Sequence, residues 1–138
     1  MTEKEAIIYQ LRKELYKKSL YEFFKKAVTI LEPSTTFDFN WHIEYLCDIL
    51  QEDALRVRDK QPRVTDKIIN IPFRSSKSLI FSVIFPAWVW TWFPEAKMLT
   101  LSYAESLAIK QSYLSKILIN SLWYKKYFPE VLKTLKIG

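Results

Sequence analysis

The chain has 138 residues, of which 49% are apolar and 16% aromatic. This composition excludes an intrinsically disordered chain and is typical of one folded domain or part of one. A formal net charge of +6 favours polyanionic partners such as nucleic acid or nucleotide, although a lysine-rich globular domain explains the charge more simply. The single cysteine, Cys47, excludes an internal disulfide and indicates a cytosolic protein.

Two helices are predicted in the first part of the chain. Apolar residues recur at helical spacing from Glu3 to Leu31 and predict one long N-terminal helix, with lysines on its opposite face. Residues 33–36, which read P-S-T-T, end this helix. A second helix is predicted from Trp41 to Val57, with Asn40 or Asp38 as its cap.

The middle of the chain combines a strand pattern with a helix pattern. Residues 67–71 form an apolar run that is typical of a buried parallel strand, and residues 72–77 follow as a loop. Ser78 opens a helix that Pro86 must bend or divide. The apolar run from Leu79 to Phe93 is shorter than the ~20 residues that span a bilayer, so we expect a buried helix and no membrane association.

The last third repeats the strand and helix pattern. A second strand is predicted over residues 97–101, and a capping box of Ser102 and Glu105 starts a helix that ends near Trp123. Residues 128–129, Phe-Pro, predict a break followed by a short helix. The order helix, helix, strand, loop, helix, strand, helix predicts an α/β fold with parallel strands and a right-handed crossover.

The loop after the first predicted strand has the chemistry of a phosphate site. Lys77 and Ser78 occupy the last two places of the pattern G-x-x-x-x-G-K-[ST], in which the lysine reaches the β- and γ-phosphates and the hydroxyl ligates Mg²⁺. Arg74 adds a cation that can form paired hydrogen bonds to a phosphate. Ile71 and Ser76 replace both glycines of the pattern, and a Lys-Ser pair alone is a weak signal.

Four blocks of sequence together resemble the large subunit of phage terminases, the ATPases that package viral DNA. The first block, I-N-I-P-F-R-S-S-K-S, is similar to the family's deviant Walker A loop, which tolerates loss of the glycines. The others are F-P-A-W, L-S-Y-A-E-S-L-A, and S-L-W-Y followed by F-P. In this chain the four blocks are residues 69–78, 85–88, 101–108 and 121–129. The resemblance covers about residues 41–129, whereas the first 35 residues show none.

The resemblance implies a function, cofactors and partners. Its Walker A residues carry over to Arg74, Ser75, Ser76, Lys77 and Ser78, which bind the nucleotide phosphates of ATP, with Ser78 as the Mg²⁺ ligand. Phe73 stands where the family commonly has a second proline, before the phosphate cradle.

The family places adenine-contacting residues upstream of this loop, which here points to Trp41 and His42. The implied partners are viral double-stranded DNA, the portal, the small terminase subunit and further copies of the chain. The implied location is the host cytoplasm, at the procapsid.

Two features of the family are missing from this sequence. Hydrolysis needs an apolar strand that ends in Asp-Glu, and the nuclease of the family needs a carboxylate cluster for paired metals. We therefore expect residues 1–35 to form an N-terminal helix, and residues 36–138 to form a partial P-loop NTPase fold truncated before the Walker B strand. Such a chain is expected to bind nucleotide and not to hydrolyse it.

Simpler alternatives stand beside these assignments. The chain can instead be a small non-enzymatic module that binds a protein partner or nucleic acid, with a purely structural loop. Trp41 and His42 can simply pack at a helix start, and Cys47 is expected in the core. The aromatic cluster of Trp88, Trp90, Trp92 and Phe93 is expected to pack in the core rather than to stack on bases. The lysines of the first helix either contact DNA phosphates or form a solvated face: Lys13, Lys17, Lys18, Lys25 and Lys26.

Overall fold

The computed structural model describes residues 1–34, 36, 38–62, 66–70 and 79–135. Helices account for the regular structure of this part of the chain, and it contains no β-strand. The helices are α1 (Glu3–Lys18), α2 (Leu20–Leu31), α3 (Trp41–Arg58), a π-helical segment (Leu79–Ile84), α4 (Phe85–Trp92), α5 (Glu105–Ile119), α6 (Leu122–Tyr127) and α7 (Pro129–Leu135).

The predicted α/β fold with parallel strands, a partial P-loop NTPase fold, is therefore wrong. Residues 67–70 and 97–101 are irregular rather than paired. Parallel strands are stable when both faces are covered, but Ile68 is 90% exposed, and Leu99 and Leu101 are each 84% exposed. The apolar runs are present in the sequence, yet within the described residues no neighbouring strand satisfies their backbone groups.

The predicted N-terminal helix is two helices that meet at Ser19. The backbone of Ser19 is extended, with φ −128° and ψ 112°, and its N–H closes α1 on the Leu15 carbonyl at 3.0 Å. Its hydroxyl accepts from the Glu22 N–H at 3.2 Å and so caps α2. A serine that satisfies both helix ends makes the break stable inside an apolar pattern that continues through it.

Pro86 divides its helix, as the sequence predicts. The chain is π-helical up to Ile84 and α-helical from Phe85, which places Pro86 in the first turn of α4. A proline fits there because it has no N–H to donate to the preceding turn. The Ser115 hydroxyl of α5 lies 3.5 Å from the Ser82 carbonyl and 3.4 Å from the Val83 carbonyl, and its single hydrogen is shared between these two acceptors.

The start and the end of α5 differ from the prediction. Ala104 is the N-cap residue and has no side-chain cap, so the predicted box of Ser102 and Glu105 is wrong. The helix ends at Ile119, and Ser121 then caps the separate helix α6 by accepting from the Tyr124 N–H at 3.2 Å. The predicted short helix after residue 128 is confirmed as α7.

Large aromatic side chains form the centre of the core. Phe23 of α2, Trp88 of α4, Tyr124 of α6 and the linking residue Phe128 are each at most 1% exposed. The Tyr124 hydroxyl donates to the Ala87 carbonyl at 2.8 Å, which satisfies the polar end of a buried ring. Of the four aromatic residues predicted to pack in the core, Trp88 is buried, and Trp90 and Trp92 are half-buried against the core. The prediction is wrong for Phe93, which is 37% exposed. The prediction that Cys47 on α3 lies in the core is confirmed, because this residue is fully buried.

Helix α1 lies on the surface of this core and contains no buried residue. The Tyr9 hydroxyl donates to the Lys126 carbonyl at 2.7 Å, and the Tyr9 ring stacks on Tyr127 with centroids 5.1 Å apart. The Trp88 indole N–H donates to the Tyr16 carbonyl at 2.9 Å. A few polar and aromatic contacts thus attach α1, while Leu11 on its outer side is 66% exposed.

Candidate functional site

The predicted phosphate-binding residues Arg74, Ser75, Ser76, Lys77 and Ser78 lie outside the described residues. Their roles, including Mg²⁺ ligation by Ser78, stay predictions. Along the chain they fill the connection between Asn70, which ends an irregular segment, and Leu79, which begins the π-helical segment.

A groove lies directly before this connection. It has a cavity volume of about 530 Å³, within the ~300–1,000 Å³ of small-molecule sites. One wall is formed by side chains of α3 and the other by the segment of residues 66–70. The lining residues are Trp41, His42, Tyr45, Leu46, Ile49, Asp66, Lys67, Ile68, Ile69 and Asn70. We call this surface the aromatic groove.

The α3 wall presents aromatic faces to solvent. Trp41 is 78% exposed and Tyr45 is 58% exposed, and their ring centroids lie 6.4 Å apart. His42 meets Trp41 edge to face, with centroids 6.2 Å apart and planes at 88°. Trp41 therefore does not simply pack at the helix start, and the two residues predicted to contact adenine are in contact in the lining of the groove.

The opposite wall is held against α3 by an ion pair. The Lys67 ammonium lies 2.8 Å from each carboxylate oxygen of Asp53, which is on the third turn of α3 after Trp41. Ile69 is half-buried and packs against the core, whereas Ile68 points its apolar side chain to solvent. The ion pair and Ile69 fix the segment that leads into residues 71–78, and Ile68 is left free to contact a ligand.

A second cavity differs in chemistry from the aromatic groove. It has a volume of about 240 Å³ and lies between the π-helical segment, α4 and α5. Its lining contains no charged side chain and includes Ser82, Trp90, Met98, Gln111 and Ser115. A neutral cavity of this size does not suit a nucleotide, whose phosphates require cations or backbone N–H groups.

Tyr45, Lys67 and Asp53 belong to this site and were not singled out from the sequence. Tyr45 follows Trp41 by four residues, and that spacing places both on one face of a helix, so periodicity was sufficient to find it. Asp53 and Lys67 are 14 residues apart in the sequence, and no local pattern indicates their pair.

Three lysines of the N-terminal helices are engaged in ion pairs. Lys13 lies 3.3 Å from Glu130, Lys18 lies 3.9 Å from Glu14, and Lys25 lies 2.8 Å from Glu22. The hydrogen bond to Glu22 raises the pKa of Lys25. These pairs favour the solvated helix face over a phosphate-binding face for the three lysines involved.

The described residues contain neither a metal-binding cluster nor a membrane-spanning helix. No three His, Cys, Asp or Glu side chains there come together in a way that could hold a metal ion. Burial raises the pKa of the Cys47 thiol to about 12, with smaller contributions from Asp48 and Glu44, so this cysteine is an inert core residue. Within the same part of the chain, no helix combines the length and the apolar character needed to cross a bilayer.

Comparison of the chain with protein-family models, with curated proteins and with solved structures returned no match.

Proposed function

We propose that the chain supplies nucleotide binding to a viral DNA-packaging ATPase that resembles the terminase large subunit. The observation that supports this is the position of the aromatic groove. Its second wall is formed by residues 66–70. The next eight residues of the sequence include Arg74, Lys77 and Ser78. The aromatic wall on α3 therefore lies across the groove from the segment that precedes this cationic sequence.

The groove suits the base of a nucleotide better than its phosphates. Its exposed Trp41 and Tyr45 rings offer stacking surfaces, and Ile68 offers an apolar contact on the facing wall. Stacking of a base on an aromatic side chain contributes about 1–3 kcal/mol. We assign the phosphates to Arg74 and Lys77, and the Mg²⁺ ion to the Ser78 hydroxyl. The assignment rests on the groove and on the loop sequence alone, because the described residues contain no strand before the loop.

The wider setting follows from the resemblance alone. We propose viral double-stranded DNA as the polymer moved by the complete motor, with the portal, the small terminase subunit and further copies of the chain as protein partners. Action at the procapsid in the host cytoplasm belongs to the same proposal.

The test is Mg²⁺-dependent binding of a fluorescent ATP analogue, measured by anisotropy on the full chain. Lys77→Ala is expected to abolish binding, and Trp41→Ala is expected to weaken it about tenfold. Lys110→Ala and Tyr103→Ala are matched controls, because both residues are exposed and lie away from the groove. Binding that survives in Lys77→Ala at full strength would refute the role given to this lysine.

A non-enzymatic binding module is the second candidate, and the all-helical fold supports it. The described residues include exposed apolar helix faces, such as Leu11 on α1 and Ile109 on α5. Faces of this kind are typical of protein interaction surfaces. A chain that melts cooperatively yet binds no nucleotide would favour this second candidate over the first.

A further inference from the structure

Helix α5 presents an open groove that is built from its own side chains. The groove has a volume of about 430 Å³. Six residues on one face of the helix line it: Glu105, Ala108, Ile109, Ser112, Tyr113 and Lys116. We call this surface the α5 face. Ile109 is 61% exposed and Tyr113 is 63% exposed, so large apolar side chains stand beside the small residues Ala108 and Ser112.

The side of α5 turned away from this face is fixed to the core. Leu118 is buried there, and the Ser115 hydroxyl on the flank of the helix shares its one hydrogen between two carbonyls of the π-helical segment. Residues outside the α5 face therefore hold the helix in position, and the side chains of the face itself are left exposed. A preorganised face of this kind loses little conformational entropy when a partner binds.

The order of residues along the α5 face makes it complementary to itself. If a two-fold axis passes between Lys110 and Gln111, an antiparallel copy of the helix places three kinds of pairs together. They are acidic Glu105 with basic Lys116, small Ala108 with large Tyr113, and large Ile109 with small Ser112. By symmetry each pair occurs twice, and all six lining residues have a partner.

We propose that the α5 face binds the α5 face of a second copy of this chain, with the two helices antiparallel. Ile109 and Tyr113 of each copy enter the spaces above Ser112 and Ala108 of the other. Glu105 and Lys116 close both ends of the interface with ion pairs. This proposal is independent of nucleotide binding.

The size of the face sets the strength of the dimer. The contact runs along about 16 Å of helix, because a helix rises about 1.5 Å per residue. With a helix diameter of about 10 Å, a strip of this length covers roughly 200 Å², well below the ~800 Å² per partner of a standard stable interface. We expect a reversible dimer whose population depends on protein concentration.

Charge reversal tests the arrangement, with sedimentation equilibrium of the full chain as the measurement. Glu105→Lys and Lys116→Glu each place like charges at both ends of the interface, and each is expected to weaken dimerisation about tenfold. The double variant E105K/K116E restores opposite charges and is expected to return close to the affinity of the unaltered chain. The two residues lie about three helical turns apart, so they cannot pair within one helix.

The double variant also separates dimerisation from helix stability. Glu105 lies in the first turn of α5 and Lys116 in the last. In these positions each charge interacts favourably with the helix dipole and stabilises the helix. If the single changes act only by weakening the helix, the double variant must be worse than either one. Rescue of dimerisation in the double variant, with a lower melting temperature of the monomer, is the expected result. A double variant that dimerises no better than the singles overturns the proposal.

Ser112→Arg is a second disruptive change, because it fills the space that Ile109 of the other copy enters. Leu11→Gln on α1 is its control, since Leu11 is an apolar residue about as exposed as Ile109 but lies on a different helix. We expect Ser112→Arg to leave a monomer and Leu11→Gln to leave the dimer intact. The opposite pattern would place the interface on α1, and a chain that stays monomeric at millimolar concentration would show that neither face dimerises.

Discussion

Tyr124→Phe removes a single hydroxyl from the centre of the core and leaves the ring in place. The hydroxyl donates to the Ala87 carbonyl of α4 at 2.8 Å, and the residue is fully buried. The ring contacts remain, with centroid distances of 5.3 Å to Phe128 and 6.3 Å to Phe23. The change therefore isolates one hydrogen bond between α6 and α4.

The expected cost follows from the state of the carbonyl that is left behind. Residues 87 and 91 both lie inside α4, so helical geometry gives the Ala87 carbonyl a second donor, the Thr91 N–H. A buried hydrogen bond lost under these conditions costs about 0.5–1.5 kcal/mol. For a chain of this length, about 1 kcal/mol lowers the melting temperature by about 3–4 °C. Tyr124→Ala also removes the ring and is expected to cost about 3–5 kcal/mol.

A pH series sharpens this prediction. Burial raises the pKa of Tyr124 above its ordinary value of 10.0, so the hydroxyl stays neutral in the folded state when the unfolded chain begins to ionise. Below about pH 10 the free energy of unfolding is unaffected, because Tyr124 is neutral in both the folded and the unfolded chain. Above about pH 10 the unfolded chain ionises at this residue, and the free energy of unfolding falls by about 1.4 kcal/mol per pH unit. The melting temperatures of the unaltered chain and Tyr124→Phe are therefore expected to converge above pH 10. A gap that stays constant or widens would refute the reasoning.

Three further predictions concern the helix junction, the buried thiol and the aromatic groove. Ser19→Ala removes the cap of α2 and is expected to cost about 1 kcal/mol, measured by thermal melting; an unchanged melting temperature would mean that the hydroxyl does not hold the junction. Cys47 is expected to react with iodoacetamide at least about a hundredfold more slowly in the folded chain than in urea, because burial excludes the reagent and raises the pKa of the thiol to about 12. Asp53→Asn is expected to cost less than about 1 kcal/mol of stability, since its pair with Lys67 is partly exposed. The same change is expected to weaken binding of the fluorescent ATP analogue about threefold, because the wall that carries Lys67 is then held less firmly. Lys67→Ala is the matched variant, and a difference between the two would indicate that the lysine itself contacts the ligand.

Periodicity was sufficient for the helices whose ends coincide with strong local signals. The second helix was predicted from Trp41 to Val57 and is observed from Trp41 to Arg58. The division at Pro86 and the break before Pro129 were also predictable, because proline excludes the helical hydrogen bond at its own position. Ser19 was missed because the apolar pattern continues through it and only its cap geometry reveals the junction.

The strands were mispredicted for a different reason. An apolar run such as Ile68-Ile69 is compatible with a strand, but a strand forms only when a neighbour completes its hydrogen bonds. That requirement is non-local, and among the described residues these segments have no such neighbour. The same limit applies to the candidate site. The spacing of Trp41 and Tyr45 is visible in the sequence, whereas the contact of Asp53 with Lys67 depends on the folded chain.

The attachment of α1 has a consequence for the order in which the molecule opens. The contacts that hold α1 are made by Tyr9, Lys13 and Tyr16 at its surface, and no residue of α1 is buried. Segments with few buried contacts open at lower free energy than the core, in cooperative units. The amides of α1 are therefore expected to exchange with deuterium long before those of α2, although the two helices are contiguous in sequence. Ser19 then marks a boundary between two folding units, and undocking of α1 uncovers the indole edge of Trp88 while the core stays closed.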